Sequence, residues 1–340
     1  MARRARPRAA TGQLELFAPA PRAPDAPEWE RARQRLGELA RRVPGHVRLG
    51  TSSWTFPGWG GTVYPAGVSE RELVREGLRH YVEHPLFRTV GVDRSYYRPL
   101  DRGTLAALGA QLPPRFPCVW KAWSEITAAV DARTRAPNPR FLDARLCREA
   151  VIEPMRAEVP SHVGAIVLEL APLRRRELPA PAAFAERLDS FLAEVAGELP
   201  LAVELRNREL LTPAYLEVLA RHRVAHVVSS WERMPPLGEQ LEVPGILTAP
   251  HVVARLLLPP GVRYAEQRER FAPFDRIVEP QPALRDAIVR LAAACARDRR
   301  TLFVLVNNKV DGSAPLTVLA LAERLAEVGS PTCGDEGGTG

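Results

Sequence analysis

Along most of the chain, short β-branched or apolar runs alternate with longer segments whose apolar residues recur every three or four positions. Eight runs stand out, at residues 47–50, 89–92, 118–122, 165–168, 201–205, 225–229, 254–258 and 302–306. Short, nearly continuous apolar runs of this kind are the pattern of strands covered on both faces. Helical periodicity fills the intervals at 70–80, 141–157, 182–196, 213–222, 284–297 and 315–327, and more weakly at 104–111. The stretch 232–250 is rich in proline and glycine and predicts no helix. Alternating strand and helix units imply a parallel sheet, and eight of them predict a single (β/α)8 TIM barrel. A doubly wound open sheet is the alternative; no GxGxxG follows the first strand, so its dinucleotide-binding version has no support.

The flanks differ from this pattern. Residues 1–27 are rich in Arg, Ala and Pro and predict a disordered arm. Residues 28–45 predict a helical linker, with Trp29, Leu36 and Leu39 as a sparse apolar face on a polar helix. The barrel is expected over 46–328, and the glycine-containing stretch 329–340 reads as a loose, disordered tail. A length of 340 residues suits one barrel of roughly 250 residues with appendages. No apolar run approaches the roughly 18 residues that span a bilayer, and no signal-type apolar segment follows the N-terminal arginines. The four cysteines lie far apart with no CxxC pair, so no disulfide framework is implied. The expectation is a cytoplasmic protein with no membrane partner.

Charge refines the picture. The net charge is +7, but residues 1–44 hold ten arginines against five acids, so +5 lies in the arm and linker and only +2 in the rest. The barrel itself is therefore no strong electrostatic partner for duplex DNA. Lysine is nearly missing: Lys121 and Lys309 are the two in the chain.

In such barrels chemistry sits at the C-terminal ends of the strands. There the sequence offers Trp54 and Trp59 after the first strand, and Asp93, Tyr96, Tyr97 and Arg98 after the second. Lys121 and Trp123 follow on the third, Glu169 on the fourth, and Glu204 and Arg206 on the fifth. Trp231 and Glu232 follow the sixth strand, Arg255 lies on the seventh, and Asn307, Asn308 and Lys309 follow the eighth. A barrel serving only as a scaffold needs no such ring of polar residues.

These blocks carry a resemblance. The segment from Leu49 to Trp54 with Trp59, Tyr64 and Pro65 is similar to the opening motif of the domain-of-unknown-function family 72, the YecE-like barrels. So are the run from Thr89 to Pro99, the Lys121 strand from Phe116 to Ala122, the strand from Val203 to Arg206, and the closing block from Leu302 to Asn308 with Ala314 and Pro315. The motifs occur in order over about residues 46–328. The resemblance implies a TIM barrel, akin at fold level to the endonuclease IV and xylose isomerase barrels, and implies no established activity. Two blocks depart from the family pattern: Gly91 and Asp93 stand where it usually has Glu and Asn, and Thr127-Ala128 where it has Thr-His.

Each candidate has two readings. Lys121 is a cation in the barrel mouth that binds a phosphate or carboxylate or acts as a base, or else a structural ion pair. Glu204 and Arg206 alternate onto one face as general base and anion anchor, or form one internal salt-bridge network. Asn307 and Asn308 bond a polar ligand, or cap the helix beginning near Pro315. Trp54, Tyr96, Tyr97 and Trp231 stack on a ring-bearing ligand, or pack the core and rim. No histidine cluster or HExxH motif suggests zinc, and no cofactor is expected; Asp93, Glu169, Glu204 and Glu232 form an unsupported candidate for a divalent cation.

The expected catalytic residues are thus Lys121, Glu204 and Asp93. The expected ligand-binding residues are Trp54, Tyr96, Tyr97, Arg206, Trp231, Arg255, Asn307 and Asn308. The function they suggest is an enzyme, hydrolase or phosphodiesterase-like, acting on a small anionic ligand or nucleic acid. A separate signal lies in the arm. Gln13, Leu14, Leu16 and Phe17 match the four specified positions of the bacterial sliding-clamp-binding pentapeptide Gln-Leu-x-Leu-Phe. The alternative function it suggests is a non-catalytic DNA replication or repair accessory tethered to the clamp; its own alternative reading is that the island packs back on the barrel.

Overall fold

The computed structural model of the chain describes residues 26–259, 261–262 and 264–329. The 13–17 motif, the arm up to residue 25 and the tail after Gly329 lie outside the described residues. Eight strands follow one another: β1 (Val47–Thr51), β2 (Thr89–Val92), β3 (Cys118–Lys121), β4 (Val163–Glu169), β5 (Leu201–Glu204), β6 (Ala225–Ser230), β7 (His251–Leu256) and β8 (Thr301–Val306). All neighbours pair in parallel, and β8 returns to β1 with Val47 opposite Leu302 and Thr51 opposite Val306, closing the barrel. The helices are α1 (Ala26–Arg42), α2 (Glu70–Tyr81), α3 (Arg102–Gly109), α4 (Ser124–Thr127), α5 (Ala144–Cys147), α6 (Glu153–Glu158), α7 (Pro181–Val195), α8 (Pro213–Arg221), α9 (Leu237–Leu241), α10 (Tyr264–Phe271), α11 (Pro282–Arg297) and α12 (Ala314–Gly329).

Six of these helices start on devices visible in the sequence. Ser69, Asp101, Asp143 and Thr212 cap α2, α3, α5 and α8 with a side-chain oxygen, and Pro181 and Pro282 open α7 and α11 at the position where a missing N–H costs nothing. The helix expected over 141–157 begins only at Ala144, after Leu142 at φ 54° and the Asp143 cap. It carries a π-turn over Arg148–Ile152 just ahead of Pro154. Proline lacks an N–H and crowds the carbonyl four residues back, and a wide turn at that point relieves both. The seventh strand starts earlier than its apolar run suggests and stops at Leu256, because prolines follow at 259 and 260. The proline-rich stretch 232–250 still forms the short α9. Its Gln240 is buried, donates from Nε2 to the Ser229 carbonyl at 2.8 Å, and accepts from the Ser229 amide at 3.3 Å.

The core has two layers. The larger one lies between the strands and the helices. The smaller fills the barrel with Val119, Ala165, Val167, Ala202, Val227, Val253, Phe303 and Leu305 among others. The expected linker helix is docked: Leu36 and Leu39 of α1 pack against the core, and Arg88 donates to the Ala40 and Val43 carbonyls. The side chain of Trp29 lies outside the described residues.

Two histidines are buried away from the barrel mouth. Burial pushes His226, whose Nδ1 lies 3.0 Å from the Tyr215 hydroxyl, down to about 3. Burial, with the Arg33 charge adding to it, pushes His84 down to about 4. An unfolded histidine titrates near 6.5, so both contribute stability that is complete above that pH. It is lost as the pH falls from about 6.5 through 4 and then 3. Urea unfolding is expected to show stability dropping between pH 6.5 and 5 with a limiting slope of about 1.4 kcal/mol per pH unit for each histidine. His226→Gln should reduce that slope; a flat profile over this interval would contradict the burial of neutral imidazoles.

Candidate active site at the barrel mouth

Strand alternation builds the site. Interior positions recur every second residue. One step beyond the apolar interior residues Val119, Val167, Ala202 and Val253 come Lys121, Glu169, Glu204 and Arg255. Glu169 sits opposite Glu204 in the β4–β5 register, and Val167 opposite Lys121 in β3–β4. Arg206, two residues after Glu204, joins the same layer, and Asp93 enters it from the turn following β2.

The six side chains form one network of three cations and three carboxylates. Glu169 is its hub: its Oε2 accepts a hydrogen bond from Arg255 Nη1 at 2.7 Å and lies 3.0 Å from Lys121 Nζ and 2.7 Å from Arg206 Nη2. Glu204 faces Arg206 Nη2 at 2.9 Å from one oxygen and bonds Arg255 from the other. Asp93 spans the outer side, 3.3 Å from Lys121 Nζ and 3.5 Å from Arg255 Nη2. The network is graded in depth. The Glu204 side chain is 0 % exposed and those of Arg255 and Arg206 3–4 %, whereas that of Asp93 is 35 % exposed. Burial alone would raise the carboxyl of Glu169; the charges of Arg206, Lys121 and Arg255 overcome this and hold it well below the usual carboxylate range. Arg255 is held in its charged form despite burial by Glu204, Asp93 and Glu169.

Two cations lie against aromatic rings. The Arg206 guanidinium stacks 3.8 Å from the Trp231 ring centre, and Lys121 Nζ lies 5.0 Å from that of Tyr96. Burial, then the nearby Glu169 charge, pushes the Tyr96 phenol up to about 12. Tyr97 meets Tyr96 edge-on and is 78 % exposed at the rim. Arg206 Nε and Nη1 are buried without a hydrogen-bond partner among the described residues.

The remaining sequence candidates make other contacts. Trp54 is buried beside Gly77 of α2, with Arg94 over its ring, and belongs to the core. Asn308 is buried; its Oδ1 accepts from Trp59 Nε1 at 3.2 Å and from the Ala314 amide at 2.8 Å, which ties β8 to the start of α12. Asn307 accepts from the Lys309 amide and ammonium. Glu169, named in the sequence only as a strand end and a cation candidate, is the residue that joins all three basic groups. Its position two beyond Val167 on an apolar strand was the available signal. Gly91 packs tightly: a Cβ there would lie 3.0 Å from Ser52 Cα and 3.1 Å from its carbonyl oxygen, so a larger residue needs the Ser52 backbone, just past β1, to give by a few tenths of an ångström. Among the described residues, no group of three or more His, Cys, Asp or Glu side chains is placed to hold a metal ion. Nor is any helix long and apolar enough to cross a membrane.

A closed parallel barrel with a charged layer at the carboxyl ends of its strands defines the class: a TIM barrel with an ion-pair network across its mouth. The chain belongs to the family described as "Protein of unknown function DUF72", whose model matches residues 48–335. Among solved structures it is similar to a DUF72 family protein of Enterococcus faecalis V583, at TM-score 0.58 and 17 % identity, covering 85 % of this chain and 100 % of that one. It is also similar to a DUF72 family protein of Thermotoga maritima MSB8, at TM-score 0.57 and 18 % identity, covering 82 % and 98 %. At such identities the likeness establishes the fold alone. No curated protein matches the chain.

Proposed function

We propose that the barrel mouth binds a small anionic, phosphate-bearing ligand, and that the anion seats against Lys121 and Arg255 in place of the Asp93 carboxylate. The observation that carries this reading is the gradient within the network. Glu169 and Glu204 hold their cations at short range in the interior, while Asp93 makes the two longest contacts and is the exposed member. The six charges sum to zero, so a ligand exchanging with Asp93 must bring negative charge of its own. Glu169 and Glu204 keep the arginines oriented. The released Asp93 carboxylate is the one of the three within reach of a bound substrate, which gives it the acid–base role, either orienting a water or accepting its proton. A buried, pre-oriented cation layer then stabilises charge developing on the ligand, as phosphoester hydrolysis requires.

The rim suggests a ring on that ligand. Tyr97→Ala, at the exposed rim beside Tyr96, is expected to weaken binding of a nucleoside monophosphate by about 5- to 150-fold, from a stacking contribution of about 1–3 kcal/mol. Binding of inorganic pyrophosphate should be unchanged. Calorimetric titration of both ligands checks this; equal losses for the two would remove the ring from the proposal.

A second reading rests on Gln13, Leu14, Leu16 and Phe17: a DNA replication or repair accessory tethered to the bacterial sliding clamp. A labelled peptide of residues 8–22 titrated with clamp tests it, with Leu16→Ala/Phe17→Ala as control. Micromolar binding lost in the control supports tethering, and no binding removes it.

A further inference from the structure

A groove of about 520 Å³ lies on the outside of the barrel, far larger than an accidental packing void. One wall is α1, with Leu36 and Leu39; the opposite wall includes Leu319 of α12 and the His84-Pro85 turn after α2. Its floor is apolar, and Arg33, Arg35 and Arg42 border it beside Glu323; Arg33 is engaged by Glu83, donating to its carbonyl at 2.8 Å, so the surplus of positive charge lies with Arg35 and Arg42. His84 lines it, more than nine-tenths buried, and its Nδ1 has no hydrogen-bond partner among the described residues. The groove therefore suits an extended peptide that presents large apolar side chains, one negative charge and backbone or amide polar groups.

The chain contains such a segment. Leu14, Leu16 and Phe17 are the large apolar residues between Met1 and Ala26, and Glu15 between them is the single acid of residues 1–24. The reach is adequate. Eight residues separate Phe17 from Ala26, a span of up to roughly 30 Å at 3.3–3.6 Å per residue. Leu36 lies only about 15 Å along α1 from Ala26 at 1.5 Å per residue. A chain doubling back beside α1 brings the island to the groove. We infer that residues 13–17 dock in cis into the α1–α12 groove, with Leu16 and Phe17 against Leu36, Leu39 and Leu319 and Glu15 toward the arginine border. The same side chains would engage a sliding clamp, so docking in cis makes the groove a competitor for any outside partner of the island. The inference does not depend on that partner.

Hydrogen exchange on the full-length chain tests it. In the wild type, amides 14–17 are expected to exchange at least tenfold more slowly than in the free 8–22 peptide. Protection should be lost in Leu319→Glu and, separately, in Leu36→Glu, with barrel amides unaffected in whichever variant remains folded. In a second measurement, labelled 8–22 peptide is added to the full-length Leu16→Asp/Phe17→Asp chain, whose own island cannot dock. It should bind at least tenfold more tightly there than to the wild type. Three results would overturn the inference: exchange of 14–17 at the free-peptide rate, equal peptide binding to the two chains, or protection that grows with protein concentration and so comes from a second copy.

Discussion

Glu204→Ala is expected to destabilise the barrel by about 3–5 kcal/mol, the cost of stranding buried charge after removal of its partner. Glu204 is fully buried and faces both Arg206 and Arg255, themselves almost without exposure. Without it, two guanidinium groups share Glu169 with Lys121, and the interior of the mouth carries net positive charge that water cannot reach. Asp93→Ala removes a charge of the same sign from the same network but from its exposed side, where pairing contributes about 0–1 kcal/mol. Urea unfolding at pH 7 distinguishes the two. Equal costs would mean that depth does not organise the network as described. Acid acts in the same sense as Glu204→Ala. The carboxyl of Glu169 is depressed in the folded state, so its contribution is complete above the ordinary carboxylate pKa of about 4.3 and disappears as the pH falls below it.

Lys121→Ala should leave the fold nearly intact and impair the site. Glu169 retains two arginines at 2.7 Å, and Asp93 retains Arg255, so no buried carboxylate is orphaned. What goes is the most accessible cation of the layer. A charge-assisted hydrogen bond contributes about 1.5–3 kcal/mol, so the affinity for inorganic pyrophosphate is expected to fall about 10- to 150-fold. Melting temperature and calorimetric affinity, measured on the same preparation, test both halves. A variant that binds pyrophosphate as the wild type does would place the anion elsewhere.

The strands were legible because both faces are buried, which makes them continuous apolar runs rather than alternating ones. Polar residues at or just after the ends of those runs were legible as a ring. The pairing within that ring was not. Lys121, Glu169, Glu204, Arg206 and Arg255 come from four strands and the start of a loop, and only closure of the barrel decides which face which. Glu169 illustrates this: one carboxylate at one strand end carries no local sign that three cations converge on it. Asn308 and Trp54 show the converse. Both stand beside strand ends in sequence, yet Trp54 packs into the core beside Gly77 and the Asn308 side chain bonds Trp59 and the Ala314 amide. The π-turn before Pro154 and the short α9 were also hidden, the first because periodicity ignores a single widened turn, the second because proline and glycine mask a five-residue helix.

The most direct test of the account is a calorimetric titration of inorganic pyrophosphate into wild-type protein and Asp93→Asn, side by side. Asp93 is held to occupy the anion's place on Lys121 and Arg255. Neutralising it should therefore tighten pyrophosphate binding, by about tenfold for each 1.4 kcal/mol of competition removed. Binding to Asp93→Asn that is weaker than to the wild type, or absent from both, would contradict an anion site at the barrel mouth.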